Sequence, residues 1–255
     1  MEPRYVFHHI PKTGGNSVRE TFAQWFNLVR HYRPGWGMVR MPRFDLEGLD
    51  SASMLCGHFE VEGNRLRGDY GDVFSNPGYR VITFVRDPLE IAVSLHFFES
   101  RHQSGNEGWE PGTLEERVLR RAPNFMARMM QCDESNWQAV VDAYWFVGVT
   151  EDLQRSCDAL AWRLGKPRVA VGRKNVTTRE RELDPEVFGE FFQRNTLDYK
   201  IYHYCLLRHA AELRRMTDGG RGLSDARRAC GHDPRSPLDN RGEAGLQNQE
   251  RKTAS

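Results

Sequence analysis

Tyr5-Val6-Phe7-His8-His9-Ile10-Pro11-Lys12-Thr13-Gly14-Gly15-Asn16-Ser17-Val18 is an apolar run that ends in a short glycine-bearing loop and opens onto a helical pattern. Strand, anion loop and helix follow in outline. Paired glycines permit a tight turn and close backbone approach, and the amides of a helix start direct the positive end of its dipole at whatever lies before them. Pro11 to Ser17 thus form one cradle. Lys12 adds a mobile cation to it, and Thr13, Asn16 and Ser17 add short polar donors. A glycine-rich strand-to-helix turn that binds nothing is the plain alternative, because a short motif is only a hypothesis. The nucleotide-triphosphate loop G-x-x-x-x-G-K-[ST] is excluded, since it places lysine after its glycines and Lys12 precedes Gly14 and Gly15.

The 255 residues suit one α/β domain with additions, a class that commonly reaches about 200–250 residues. With 36 basic and 35 acidic side chains there is no global field of the kind a nonspecific nucleic-acid binder needs, so any anion site is local. The cysteines, Cys56, Cys132, Cys157, Cys205 and Cys230, are odd in number and spread out, with no C-x-x-C. A disulfide framework and a zinc site are therefore not expected. No signal-peptide pattern precedes Tyr5, and no run of about 18 apolar residues could span a bilayer. The chain reads as soluble and cytoplasmic, unless an N-terminal anchor has been removed.

Outward from the loop, Val18, Phe22, Trp25 and Phe26 have helical spacing, which predicts a helix over 18–28. Residues 29–49, rich in Arg, Pro and Gly, read as a surface excursion. Ser53-Met54-Leu55-Cys56-Gly57-His58-Phe59 is a second strand with His58 at its C-terminal end, the edge where open parallel sheets place ligands. A lone histidine there is either a hydrogen-bonding residue or a base. Gly78-Tyr79-Arg80-Val81-Ile82-Thr83-Phe84-Val85-Arg86-Asp87-Pro88 is a buried central strand stopping at a charged turn, and Pro88 suits the first turn of a helix bearing Ser94. Arg86 offers a planar donor fork and Ser94 a hydroxyl to a phosphate monoester, although a structural ion pair would equally explain Arg86.

A helix is expected near 113–121 and another at 137–143. Residues 144–151 read as a further buried strand, and Leu153, Cys157, Leu160 and Leu164 as an amphipathic helix closed by Gly165. Residues 169–184 form a basic loop leading into Pro185, and residues 188–215 read as helices. The domain is therefore placed at 1–216, and 217–255, almost without large apolar residues, reads as a disordered tail.

Pro-Lys-Thr-Gly-Gly-x-Ser after the first strand resembles the 5′-phosphosulfate loop of sulfotransferases that use 3′-phosphoadenosine-5′-phosphosulfate (PAPS). The likeness is to the carbohydrate group that includes heparan sulfate 2-O-sulfotransferase, and the absence of a membrane anchor suggests a bacterial version. Arg86-Asp87-Pro88 followed by Ser94 resembles that family's 3′-phosphate site in order and spacing. Phe146-Val147-Gly148-Val149-Thr150-Glu151-Asp152-Leu153 is similar to its corresponding strand and helix. The resemblance implies a three-layer α/β/α fold with a mainly parallel central sheet and a P-loop-like phosphosulfate loop. It implies His58 as catalytic base, although the family's His-Gly-His is Cys56-Gly57-His58 here, which leaves the acceptor's identity open. From it also come Arg173, Lys174, Thr177 and Arg179 as a loop over the nucleotide, and Asn124 and Arg128 as substrate-side residues.

The activity so implied is transfer of a sulfuryl group from PAPS to an acceptor hydroxyl, most naturally on a glycan, with release of adenosine 3′,5′-bisphosphate. His58 and Lys12 would be catalytic, with no metal and no nucleic-acid partner, and the oligomeric state is not legible. A phosphotransferase on a related fold, or a noncatalytic glycan- or nucleotide-binding relative, are the alternatives.

Overall fold

The computed structural model describes residues 2–33, 40–103, 112–172 and 183–229, with side chains in the last stretch described as far as Asp218. The chain divides into two units, Met1–Met216 and Thr217–Ser255, and every strand among the described residues lies in the first.

Five strands, β1 (Arg4–His8), β2 (Asn27–Arg30), β3 (Ser53–Gly57), β4 (Tyr79–Val85) and β5 (Phe146–Val149), form one sheet in the order β2-β3-β1-β4-β5. Every pairing is parallel. Parallel neighbours require crossovers; the first helix carries the chain from β1 to β2 and four more carry it from β4 to β5, while the β2–β3 and β3–β4 connections contain no α-helix among the described residues and the last three helices follow β5. In chain order the helices are α1 (Gly15–Phe22), α2 (Pro88–Gln103), α3 (Leu114–Arg120), α4 (Phe125–Met130), α5 (Trp137–Ala143), α6 (Leu153–Leu164), α7 (Pro185–Arg194) and α8 (Thr196–Ala229).

Both faces of the sheet are covered. Val6, Leu55, Val81 and Val147 point into one core with Ile91 and Leu95 of α2 and Leu197 and Ile201 of α8. Their neighbours Phe7, Met54, Ile82 and Phe146 point the other way, against Val18 and Phe22 of α1 and Cys157 and Leu160 of α6. Successive strand residues alternate faces, so burial on both makes β3, β4 and β5 nearly continuous apolar runs, while the edge strand β2 is half-buried. Each fully buried Phe or Ile in these layers stabilises the fold by about 1.5–3 kcal/mol. The expected α/β architecture with a parallel sheet is therefore present.

Local chemistry sets the element ends. Asp87 Oδ1 accepts from the amides of Leu89 and Glu90 at 2.9 and 3.1 Å, capping α2, and Pro88 occupies its first turn. Gly165, at φ 65°, ends α6, and Lys166 N–H returns to the Ala161 carbonyl at 2.8 Å.

Two elements differ from the sequence reading. The first helix ends at Phe22, not Leu28, and Asn27–Arg30 becomes the short strand β2, so the strand ahead of His58 is β3. Trp25 and Phe26 mimic a continued helical stripe because they turn back into the core that α1 fills, with Trp25 Nε1 bonded to the Pro167 carbonyl at 3.0 Å. At the other end, α8 is helical to Ala229, past residue 217 where composition places the start of a tail.

From β1 the chain first builds the β3 side of the sheet and then the β4 side. The connections therefore diverge between β1 and β4, and a crevice at the C-terminal ends of such diverging strands is where open α/β sheets hold ligands.

Candidate active site

The loop after β1 is built backbone first. Lys12 (φ 70°) and Gly14 (φ 76°) both adopt the left-handed conformation, which turns the chain from β1 into α1 within the six residues His9 to Gly14. A Cβ on Gly15 would lie 1.8 Å from His9 Nε2, so only glycine lets the first turn of α1 pack on that ring. Thr13 is fully buried and its hydroxyl donates to the Ile10 carbonyl at 2.8 Å. Its carbonyl accepts from Thr150 Oγ1 at 2.9 Å, and the same hydroxyl lies 2.9 Å from the Val85 carbonyl. Thr150, immediately after β5, thus ties the loop to the end of β4. The Thr13 side chain is committed to shaping the turn, so its contribution to an anion would be its amide. The exposed Asn16 accepts through Oδ1 from the Arg19 guanidinium, and Ser17 is buried in the first turn. The first helical amides precede the Val18 N–H to Gly14 carbonyl bond and point out of the helix start, where they suit an oxyanion.

Lys12 and Arg86 meet at the diverging strands. Arg86 Nη1 lies 3.3 Å from the Lys12 carbonyl, and its Nη2 pairs with Glu90 Oε2 at 3.3 Å. The structural ion pair weighed in the sequence is thus present, with Glu90 as the acid. Ser94 lies on α2 beyond that pair and is 7% exposed. Lys12 Nζ rests 4.2 Å from the centroid of the Phe98 ring. Burial pulls the Lys12 pKa down to about 8, with Arg101 and Arg86 adding to the fall and Glu99 opposing it.

On the other side of β1, His58 follows β3 and packs in edge-to-face geometry on His9 and Tyr32, with ring centroids 4.8 and 4.9 Å away. Its side chain is 28% exposed, and Nδ1 lies 4.0 Å from Glu60 Oε1, which also pairs with Arg33 at 3.3 Å. Burial, then Arg19 and Arg33, push the His58 pKa down to about 4. His9 bonds Tyr32 Oη through Nδ1 at 3.2 Å, and burial, His58, Arg19, His8 and Lys12 hold its pKa well below the usual value. His8 faces the opposite side, with Nδ1 2.7 Å from Tyr144 Oη, and burial takes its pKa to about 3. All three histidines are therefore neutral near pH 7. Among the described residues no group of three or more His, Cys, Asp or Glu is arranged to hold a metal ion.

The structure thus gathers Lys12, the loop, Arg86 and Ser94 along β1, β4 and α2, and sets His58 at the end of the adjacent β3. Asn124 and Arg128 are held by local contacts. Asn124 N–H donates to Asn195 Oδ1 at 2.8 Å and its Oδ1 accepts from Asp198 N–H at 3.3 Å, while Arg128 donates to the Ala122 carbonyl at 3.0 Å. Arg173, Lys174, Thr177 and Arg179 lie outside the described residues. Sequence reasoning missed His9, Arg19, Tyr32 and Thr150. Thr150 carried a usable signal, a hydroxyl just past the C-terminal end of a buried strand; Tyr32 did not, because the strand it follows, β2, was unrecognised.

No family model matches the chain, and no curated protein matches it. Among solved structures, a sulfotransferase from Alicyclobacillus acidocaldarius is similar with a TM-score of 0.46 and 14% identity, over 80% of this chain and 96% of that one. Among the described residues no helix is long and apolar enough to cross a membrane.

Proposed function

We propose that the chain transfers a sulfuryl group from PAPS to an acceptor hydroxyl, with a glycan hydroxyl as the favoured acceptor. The observation that carries this is the arrangement along three adjacent strand ends: a neutral histidine after β3, a lysine-bearing anion loop after β1, and an arginine after β4 bonded to that loop. The left-handed turn at Lys12 and Gly14 brings the chain into α1, whose first amides suit the phosphate of a phosphosulfate group.

In this reading the loop amides hold the 5′-phosphate, while Arg86 and Ser94 take the 3′-phosphate, Arg86 exchanging its Glu90 contact for it. His58 accepts the acceptor's hydroxyl proton as the new oxygen–sulfur bond forms. The bond from sulfur to the bridging phosphate oxygen breaks, and Lys12 meets the charge that develops there. Fixed donors of this kind are worth about 10²–10³ in rate each. A pKa near 4 makes His58 a weak base, so its part is to receive a proton late in the step, when the hydroxyl oxygen is already bonding to sulfur.

The test is a labelled-PAPS transfer screen over glycans, phenols and simple alcohols, with ATP binding measured alongside. Transfer that disappears in His58→Ala, while that variant still binds adenosine 3′,5′-bisphosphate, is the expected outcome. Tighter binding of ATP than of PAPS, with no labelled product from any acceptor class, would overturn it.

A further inference from the structure

At the opposite edge of the sheet, where β4 and β5 begin, a cleft of about 340 Å³ lies between the 74–77 turn, the 142–145 turn and arginines from three elements. Arg80 comes from β4, Arg163 from α6 and Arg208 from α8. Two of the guanidiniums lie over the Trp145 ring, Arg163 at 4.2 Å and Arg80 at 5.7 Å from its centroid. Backbone carbonyls hold the other sides. Arg80 Nη1 donates to Pro77 at 2.8 Å, and Arg208 donates to Val141 and, at 3.1 Å, to Tyr144.

Charge is not balanced here. Arg163 pairs with Glu212 at 3.4 Å, Arg215 shares that carboxylate at 3.1 Å, and Asp142 lies 3.8 Å from Arg208. Three guanidiniums, Arg80, Arg163 and Arg208, thus line the cleft against one carboxylate, Asp142, in a chain whose formal net charge is +1. Burial lowers the Arg163 pKa and Glu212 opposes the fall, while Arg215, Arg208 and Arg80 add to it. Each guanidinium carries five N–H donors, more than these contacts use. Aromatic stacking and carbonyl bonds fix the guanidinium planes beforehand, which lowers the entropy lost on binding.

We propose that this cleft is a second anion site, which takes a sulfate or phosphate ester group through Arg80, Arg163 and Arg208. Forks from three directions suit a tetrahedral oxyanion better than a planar carboxylate, which one fork would satisfy. The site lies about 20 Å of strand from the loop edge, by the rise of the seven-residue β4. It does not depend on the transfer reading. A free oxyanion and an esterified polymer present the same chemistry, and the two are separable.

The experiment titrates the full chain with inorganic phosphate, inorganic sulfate, a sulfated oligosaccharide and its unsulfated counterpart. It follows heat and the Trp145 indole N–H resonance, assigned through Trp145→Phe. Saturable binding that moves the Trp145 signal is expected, weakened about tenfold or more in Arg80→Gln and unchanged in Arg120→Gln, an exposed arginine of α3. Arg80→Lys, which keeps charge and loses the fork, should fall between. Tighter binding of the sulfated oligosaccharide than of the inorganic ions assigns the polymer, and equal binding assigns the free oxyanion. Equal binding of sulfated and unsulfated oligosaccharide, or a Trp145 resonance unmoved by any of the four in the unmodified chain, overturns the proposal. So does unchanged binding in a folded Arg80→Gln.

Discussion

Raising the pH should discharge Lys12 well before an ordinary lysine. Its ammonium is partly desolvated against Phe98, with Arg101 and Arg86 nearby, and its pKa falls to about 8. For a single titration at that value, about nine-tenths of the groups are charged at pH 7 and about one-tenth at pH 9. If the charged form is the one that meets the leaving phosphate, kcat/KM for sulfuryl transfer falls about tenfold across that interval, whereas a lysine near 10.4 would leave it nearly flat. The limb in kcat should lie higher than the limb in kcat/KM, because an anion bound beside Lys12 favours its charged form. Lys12→Arg carries a guanidinium that stays charged above pH 12, so its profile should lose the alkaline limb, at a lower absolute rate because a planar fork replaces a point charge. Initial rates with labelled PAPS from pH 6 to 10 at constant ionic strength decide the matter. A wild-type kcat/KM that stays level to pH 9.5, or the same limb in Lys12→Arg, refutes the assignment.

The acid side of the same profile should be unusual as well: with His58 held near 4, the base stays neutral as pH falls through 6.5, and the acid limb it produces belongs near pH 4. A His58 imidazole resonance that titrates near 6.5, assigned through its loss in His58→Ala, would show that the free protein does not hold the ring as described. Arg86→Ala should weaken adenosine 3′,5′-bisphosphate binding by about tenfold or more, yet hardly affect the analogue without the 3′-phosphate; equal losses in calorimetry would remove Arg86 from that role. Thr150→Val deletes the hydroxyl shared by the Thr13 and Val85 carbonyls, for a loss of about 1–3 kcal/mol in urea unfolding and weaker nucleotide binding. Stability and affinity both equal to wild type would mean the loop does not need that tie.

How much of this was legible in the sequence depends on whether a feature is local. β1, β4 and β5 are short apolar runs ended by glycine, proline or charge, and α2, α6 and α7 carry their own caps in Asp87, Gly165 and Asp184, so one dimension contains them. β2 is four residues at the sheet edge with partial burial at Leu28 and Val29, and its pairing with β3 bridges more than 20 residues of chain. No window of sequence contains that partner. The site divides in the same way. The loop and Arg86 follow from strand ends, but the Thr150 tie and the His9–Tyr32–His58 cluster are assembled by strand order. Asn124 and Arg128 come from likeness alone, and what the structure adds is their local partners: Asn195, Asp198 of α8 and the Ala122 carbonyl.

The histidine cluster also decides which of three imidazoles can serve as a base. His8 is fully buried on the side of Tyr144, and His9 is confined between Phe7, Tyr32 and Gly15, with Nε2 against the glycine. Neither ring can reach an acceptor without dismantling the first turn of α1 or the core. His58 alone among them is 28% exposed, and His9 and Tyr32 support its ring from two sides. The two arginines that depress its pKa, Arg19 and Arg33, also make this wall positive, which favours an anion beside it. An anionic donor bound in the adjacent loop would offset part of their field and make the ring more basic. The base would then be strongest when the donor is in place, which couples proton acceptance to loading of the loop and leaves the empty site with a weakly basic histidine.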